Sequence, residues 1–390
     1  LTIFAATTNA LAGDTVYVYP GVYSEGANDI IKSDVNLFLE LGSTVICDRQ
    51  VISDYGIAKN INVDGLGNLQ CTLLDFGKGI IDTSNPDTVI NVKCRDLSGA
   101  ANGVSIQGCK SFNIEVRNIF DIQQYSGNFR GNIQGTFTYN EIESTDGAAL
   151  IFRNLGTDLV KRRLNIYGKY ASGRANTFGG GIVNYIDTFN SEVNIYNTHF
   201  DHTVGDIGGI FLLWSGYNLI KNVTGISQLG YGIQVSSSSN CVIQIDGSTL
   251  AAQDIALNQS NQNSKITAKD SVFIANNQTA SGTASLRGAI EVSGTGELDL
   301  DNCTLVQEST LGLASILSLY GNNVRLRSCK LVGDVSLSES IRATAPRNIS
   351  IELQCVTNLP TSSNITNIIP GTSVIVNANV SRNSDNYFKN

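Results

Sequence analysis

The chain has 390 residues, of which 15 % are charged, with 38 glycines, 5 prolines and a formal net charge of −8. That balance excludes non-specific nucleic-acid binding, which needs a cationic surface, and no apolar run of about 18 residues is present to cross a membrane as a helix. Few charges with many glycines, asparagines and serines suit short strands joined by tight turns.

The first segment, Leu1 to Leu11, spaces Leu1, Ile3, Phe4 and Leu11 among alanines and predicts the remnant of a short amphipathic helix over residues 1–12. The start at Leu1 rather than Met reads as a trimmed or processed end. Next, Gly13-Asp-Thr-Val-Tyr-Val-Tyr-Pro-Gly-Val-Tyr-Ser-Glu25 alternates Val16, Val18 and Val22 with tyrosines and turns at Pro20-Gly21. Asp34-Val-Asn-Leu-Phe-Leu-Glu-Leu-Gly-Ser-Thr-Val45 then predicts two short strands broken at Gly42.

A helix followed by these two segments resembles the opening of right-handed parallel β-helix proteins, the pectin-lyase-like superfamily. The stretches Gly103-Val-Ser-Ile-Gln-Gly-Cys-Lys-Ser-Phe-Asn-Ile-Glu-Val116 and Gly232-Ile-Gln-Val-Ser-Ser-Ser-Ser-Asn-Cys-Val-Ile-Gln-Ile245 resemble its later coils. The resemblance covers nearly the whole chain. It implies an all-β fold, a right-handed single-stranded parallel β-helix, with the short helix capping the first coil. The superfamily holds pectate and pectin lyases, polygalacturonases, phage tailspikes, adhesins and binding modules, so the fold leaves the activity open. The Asn-Thr-Asp, Gly-Asp-Asp, Gly-His-Gly and Arg-Ile-Lys motifs of polygalacturonases are absent here. So is a pectate-lyase-like cluster of acidic Ca²⁺ ligands with its arginine. The resemblance is therefore to the tailspike or structural type.

The residues carry the solenoid reading independently. A pattern of apolar-x-apolar followed by a turn recurs from Leu164, Val193, Leu219, Ile243, Ile266, Leu298, Val324, Ile349 and Val374, at gaps of 23 to 32 residues. A near-constant period built from strand-type alternation means stacked coils of parallel β-structure, expected over 13–376. Irregular coils or insertions are expected at about 117–163, where the period blurs, and at about 275–288, which is rich in Asn, Gln, Ser and Thr. Residues 377–390 read as a polar tail. Cys47, Cys71 and Cys94 lie about one coil apart, as do Cys303 and Cys329. Stacked inward thiols are the reading for most cysteines, with one or two disulfides as the alternative. Reduced thiols suit folding in a cytoplasm before any work outside it.

Two constellations could carry chemistry. Both histidines, His199 and His202, fall beside Asp201 and Asp206. His199 and Asp201 are placed outward on one strand face, as an acid/base pair, part of a metal site or a solvated turn. No metal site or cofactor is assigned. In the second, phasing Leu150, Ile182, Ile210 and Ile233 inward sets Ile151, Val183 and Phe211 in an outward column, with Tyr185 and Leu213 in the next. A contiguous apolar patch of that kind is an oligomer interface, with a homotrimer expected, or a sugar-stacking platform using Tyr185, Trp214 or Tyr217. The remaining alternatives are a covering loop or a phase wrong by one residue. The functional expectation is a structural or adhesive β-helix, a virion-associated spike, fibre or decoration protein, or a cell-surface one. It would contact other virion proteins or surface carbohydrate, without nucleic acid or membrane insertion. A polysaccharide lyase or glycoside hydrolase working in an outer groove is the alternative.

Overall fold

Ile3–Asn9 forms the helix, α1, which lies against the strands Thr15–Val18 and Gly21–Gly26. The Thr2 hydroxyl caps it by accepting from Ala5 N at 3.1 Å. Glu25, only 3 % exposed, accepts from Ile3 N at 2.7 Å and from Phe4 N at 3.1 Å. A strand of the first coil thus sends a carboxylate to the positive end of the helix and satisfies two of its orphan donors. At the other end Lys32 Nζ donates to the carbonyls of Thr8 and Ala10. The helix buries Ile3 and Thr7, in the place expected of a cap.

The structure, a computed structural model, describes residues 2–382 apart from 49, 54–56, 73–77, 83–84, 156–159, 175–180, 189–190, 203–208, 214, 229, 236–240, 260–262, 277–287, 293–295, 309–314, 320–322, 334–338, 344–347, 353–355, 358–364, 367–372 and 377–380. It is a parallel β-solenoid that divides into two units, Leu1–His199 and Phe200–Asn390. In unit 1 one early coil contributes the three strands Asn36–Leu39, Ser43–Cys47 and Gln50–Ser53. These pair in parallel with Asn60–Gly65, Asn68–Cys71 and Lys78–Ile81 of the next coil. The interval of blurred period consists largely of long strands. Ser111–Arg130 runs through two corners in one piece, followed by Gly135–Ser144 and Leu150–Leu155, with a register shift between Ile119 and Ile122. The expected loop at 275–288 falls mostly outside the described residues. Within the predicted polar tail, Ser381–Arg382 still pairs with Val356–Thr357.

Unit 2 repeats the three-strand coil. Gly216–Lys221, Cys241–Asp246, Ser264–Lys269, Glu297–Asp301 and Asn323–Arg327 stack in register. The turn after each strand holds one residue at positive φ: Asn222 at 53°, Gly247 at 56°, Asp270 at 51°, Asn302 at 51° and Ser328 at 50°. Asn, Asp and Gly tolerate this left-handed state best, which is why they recur at that spacing. The next position points inward. There Ser248 and Ser271 donate to the carbonyl two residues back, at 3.0 and 2.7 Å. Cys303 and Cys329 make the same bond through sulfur, at 3.4 and 3.3 Å. These two cysteines therefore fill a hydroxyl slot in the corner.

Two sequence expectations shift. Cys47 and Cys71 are register partners, but Cys94 belongs to a different face, where it pairs with Val116. The repeat copy placed at Leu219 begins one residue earlier: Asn218 pairs with Ile243 and turns inward, while Leu219 is partly exposed on the outside. An apolar side chain on the outer face of that strand misled the phase.

Candidate functional site

Unit 1 carries a regular polar surface on the outer side of its first strand face. The triplets Val35-Asn36-Leu37, Ile61-Asn62-Val63, Ile90-Asn91-Val92 and Phe112-Asn113-Ile114 each bury the flanking apolar residues and turn the asparagine out. Their register is continuous: Thr15, Asn36, Asn62, Asn91, Asn113, Thr136, Asn165 and Asn194 stand in one column. Amides link along it, with Asn91 Nδ2 donating to Asn62 Oδ1 and Asn194 Nδ2 to Asn165 Oδ1, both at 3.1 Å.

The neighbouring outward column begins with Tyr17 and Phe38, whose ring centroids are 5.6 Å apart. Register carried one residue past Val63 and Val92 sets Asp64 beside Lys93, and Lys93 pairs with Glu115 at 3.4 Å. These side chains line a groove of about 600 Å³, within the size range of small-molecule sites. A second groove of the same size, on another face, is lined by Gln70, Thr72, Gln123 and Asp146 and has no aromatic ring.

The far end of the same columns is aromatic again. Tyr167 stacks on Tyr196 with centroids 4.8 Å apart, and around the corner Tyr170 stacks on His199 at 5.8 Å. Beside them Glu192 accepts from Arg163 and Asn194. Partial burial would raise its carboxyl, but those bonds and the charges of Arg163 and Lys161 outweigh that and hold it below the usual value.

On the strand His199–His202, burial alternates: His199 and Asp201 are partly exposed, Phe200 and His202 buried. His202 is 0 % exposed and its Nδ1 lies 2.9 Å from Ser227 Oγ, so it faces the core rather than a ligand. Burial lowers its pKa, against a smaller opposing pull from Asp201. Asp206 and Trp214 lie outside the described residues, as does the side chain of Tyr185. Among the described residues no group of three or more His, Cys, Asp or Glu is arranged to hold a metal ion, and no helix is long and apolar enough to cross a membrane.

The expected outward apolar column is not on the surface. Ile151, Val183, Phe211 and Leu213 are each 0 % exposed. Val183 pairs with Leu150, not Ile151, and Phe211 pairs with Ile233, so Val183, Phe211 and Leu213 stand in inward columns. Phe211 meets Phe200 edge-on at 5.1 Å. Ile151 does turn away from the core ring of Phe152, but Tyr125 and Ala148 cover it. Strands such as Gly209-Ile-Phe-Leu-Leu213 are apolar at every position, so period-two alternation has nothing to phase on. Tyr217 alone of that set is a described exposed ring, at 47 %.

Comparison with family models, with curated proteins and with solved structures finds no match.

Proposed function

We propose that this chain is a structural, adhesive β-solenoid that contacts surface carbohydrate through the outer groove of unit 1. The observation that carries the reading is the column of outward amides beside the Tyr17–Phe38 pair. Amides donate and accept at once, as sugar hydroxyls do, and exposed aromatic rings offer flat apolar faces to the ring of a sugar. Tyr17 is 62 % exposed even with Phe38 beside it, so much of its ring stays open to a ligand.

The same reading makes it an adhesive relative of the pectin-lyase-like β-helices, of the spike, fibre or decoration type, working on the exterior of a virion or cell. A stack of coils is a scaffold that can repeat one surface chemistry at regular spacing, as the amide does on four coils of unit 1.

The test is retention of the intact chain on a panel of immobilised polysaccharides, with reducing ends measured in parallel. Retention without new reducing ends is the expected result. Depolymerisation that Asp201→Asn abolishes would overturn the adhesive reading in favour of a hydrolase or lyase.

A further inference from the structure

We infer that the unit 1 groove selects an uncharged, linear polysaccharide lying along the stack of coils and rejects polyanionic ones; this rests on the carbohydrate-contact reading above. The direction follows from register. Asn36, Asn62, Asn91 and Asn113 come from four successive coils, and neighbouring strands are roughly 4.8 Å apart. A polymer running along the stack meets one identical amide per coil, whereas a polymer running along a strand meets alternating unlike side chains.

Two of the four amides are already oriented. The bond from Asn91 Nδ2 to Asn62 Oδ1 fixes both planes and leaves Asn91 its Oδ1 and second Nδ2 proton for a hydroxyl. Side chains held by their own bonds lose less rotamer freedom on binding.

Charge decides the class. The groove's ionisable lining is Asp64, Lys93 and Glu115, a formal sum of −2 + 1 = −1. Its single cation is engaged by Glu115. The whole chain carries −8. A polyuronate would meet in this groove two carboxylates and one cation already shared with Glu115, and like charges in juxtaposition repel. A neutral chain has hydroxyls for the amides and apolar ring faces for Tyr17 and Phe38.

The experiment is affinity electrophoresis of the intact chain through gels containing uncharged linear glucan, mannan or xylan, or polygalacturonate or alginate. Retardation by at least one uncharged polymer and by neither acidic one is expected. Tyr17→Ala, and the pair Asn62→Ala with Asn91→Ala, should weaken that retardation about tenfold. Asn62→Asp keeps the shape and adds a negative charge, so it separates loss of the amide from loss of fold. Glu308→Ala, exposed in unit 2, should behave as the parent. Circular dichroism and melting of each variant monitor folding. Retardation by the acidic polymers alone would overturn this inference and leave the carbohydrate reading standing. Retardation by uncharged polymers that Tyr17→Ala and Asn62→Asp both leave untouched would move the site elsewhere and also overturn it. No retardation by any polymer would overturn the reading beneath it.

Discussion

His202 shows how one position can look chemical in sequence and be structural in space. The acid/base reading falls on His199 and Asp201, which share the partly exposed side of a four-residue strand, while alternation turns His202 into the core against Ser227. Its Nε2 is buried there without a hydrogen-bond partner. The imidazole is therefore held neutral, with a folded pKa below the unfolded value of about 6.5. The sign follows: its contribution is complete above that pH and is lost as pH falls below it, because the unfolded chain binds a proton that the folded chain refuses. Urea unfolding across that range should show stability falling with acidity, and His202→Asn should flatten the slope. The cysteines give a second residue-scale expectation. Burial pushes the thiols of Cys47, Cys71 and Cys241 up to about 12 and that of Cys303 up to about 11. At mildly alkaline pH a thiol reagent should find at most one fast-reacting group in the native protein, Cys355 lying outside the described residues, and all 8 after denaturation. Two or more fast thiols would contradict the buried placement. Cys303→Ser should be nearly neutral, since the slot already takes Ser248 and Ser271.

At the scale of elements, the amphipathic spacing of Ile3 and Phe4 made α1 legible, but its anchor was not. Glu25 lies 22 residues from Ile3, and nothing local marks it as the partner of the helix's first two amides. Glu25→Ala should destabilise the N-terminal cap by about 1–3 kcal/mol, since it leaves one buried and one part-buried donor unmet and removes a charge-assisted pair. Glu25→Gln should cost less, and the two variants are compared by urea midpoint and by loss of the small helical signal. The amide column of unit 1 was present in the string as apolar-Asn-apolar triplets at 35–37, 61–63, 90–92 and 112–114. It went unread because the outer position of a strand repeat looks interchangeable until register shows the same amide in the same place on four coils. The apolar column failed for the opposite reason. Strands that are apolar on both sides carry no alternation, so neither Phe211 nor Val183 announces its side.

At the scale of the whole molecule, charge decorates the coils more than it holds them. Lys93–Glu115, Lys265–Glu297 and Arg325–Asp299 join neighbouring coils at 3.3 to 3.6 Å, and all but Asp299 are about half-exposed. Such pairs contribute about 0–1 kcal/mol apiece. Raising salt to about 1 M, where the screening length is about 3 Å, should lower the unfolding free energy by less than about 2 kcal/mol. A larger loss would mean that ion ladders, not the stacked apolar columns, carry the stability. The sequence by itself determined the class: a period of roughly one coil, with alternation inside it and Asn, Asp or Gly at the corner, admits little but a parallel β-solenoid with a capped start. These signals are local, written within a single coil. Which coil's residue stands beside which, and on which side of the sheet, depends on register between strands some 25 residues apart. Only the tertiary structure decided that. It moved the apolar column inward and left the amides and tyrosines of unit 1 facing out.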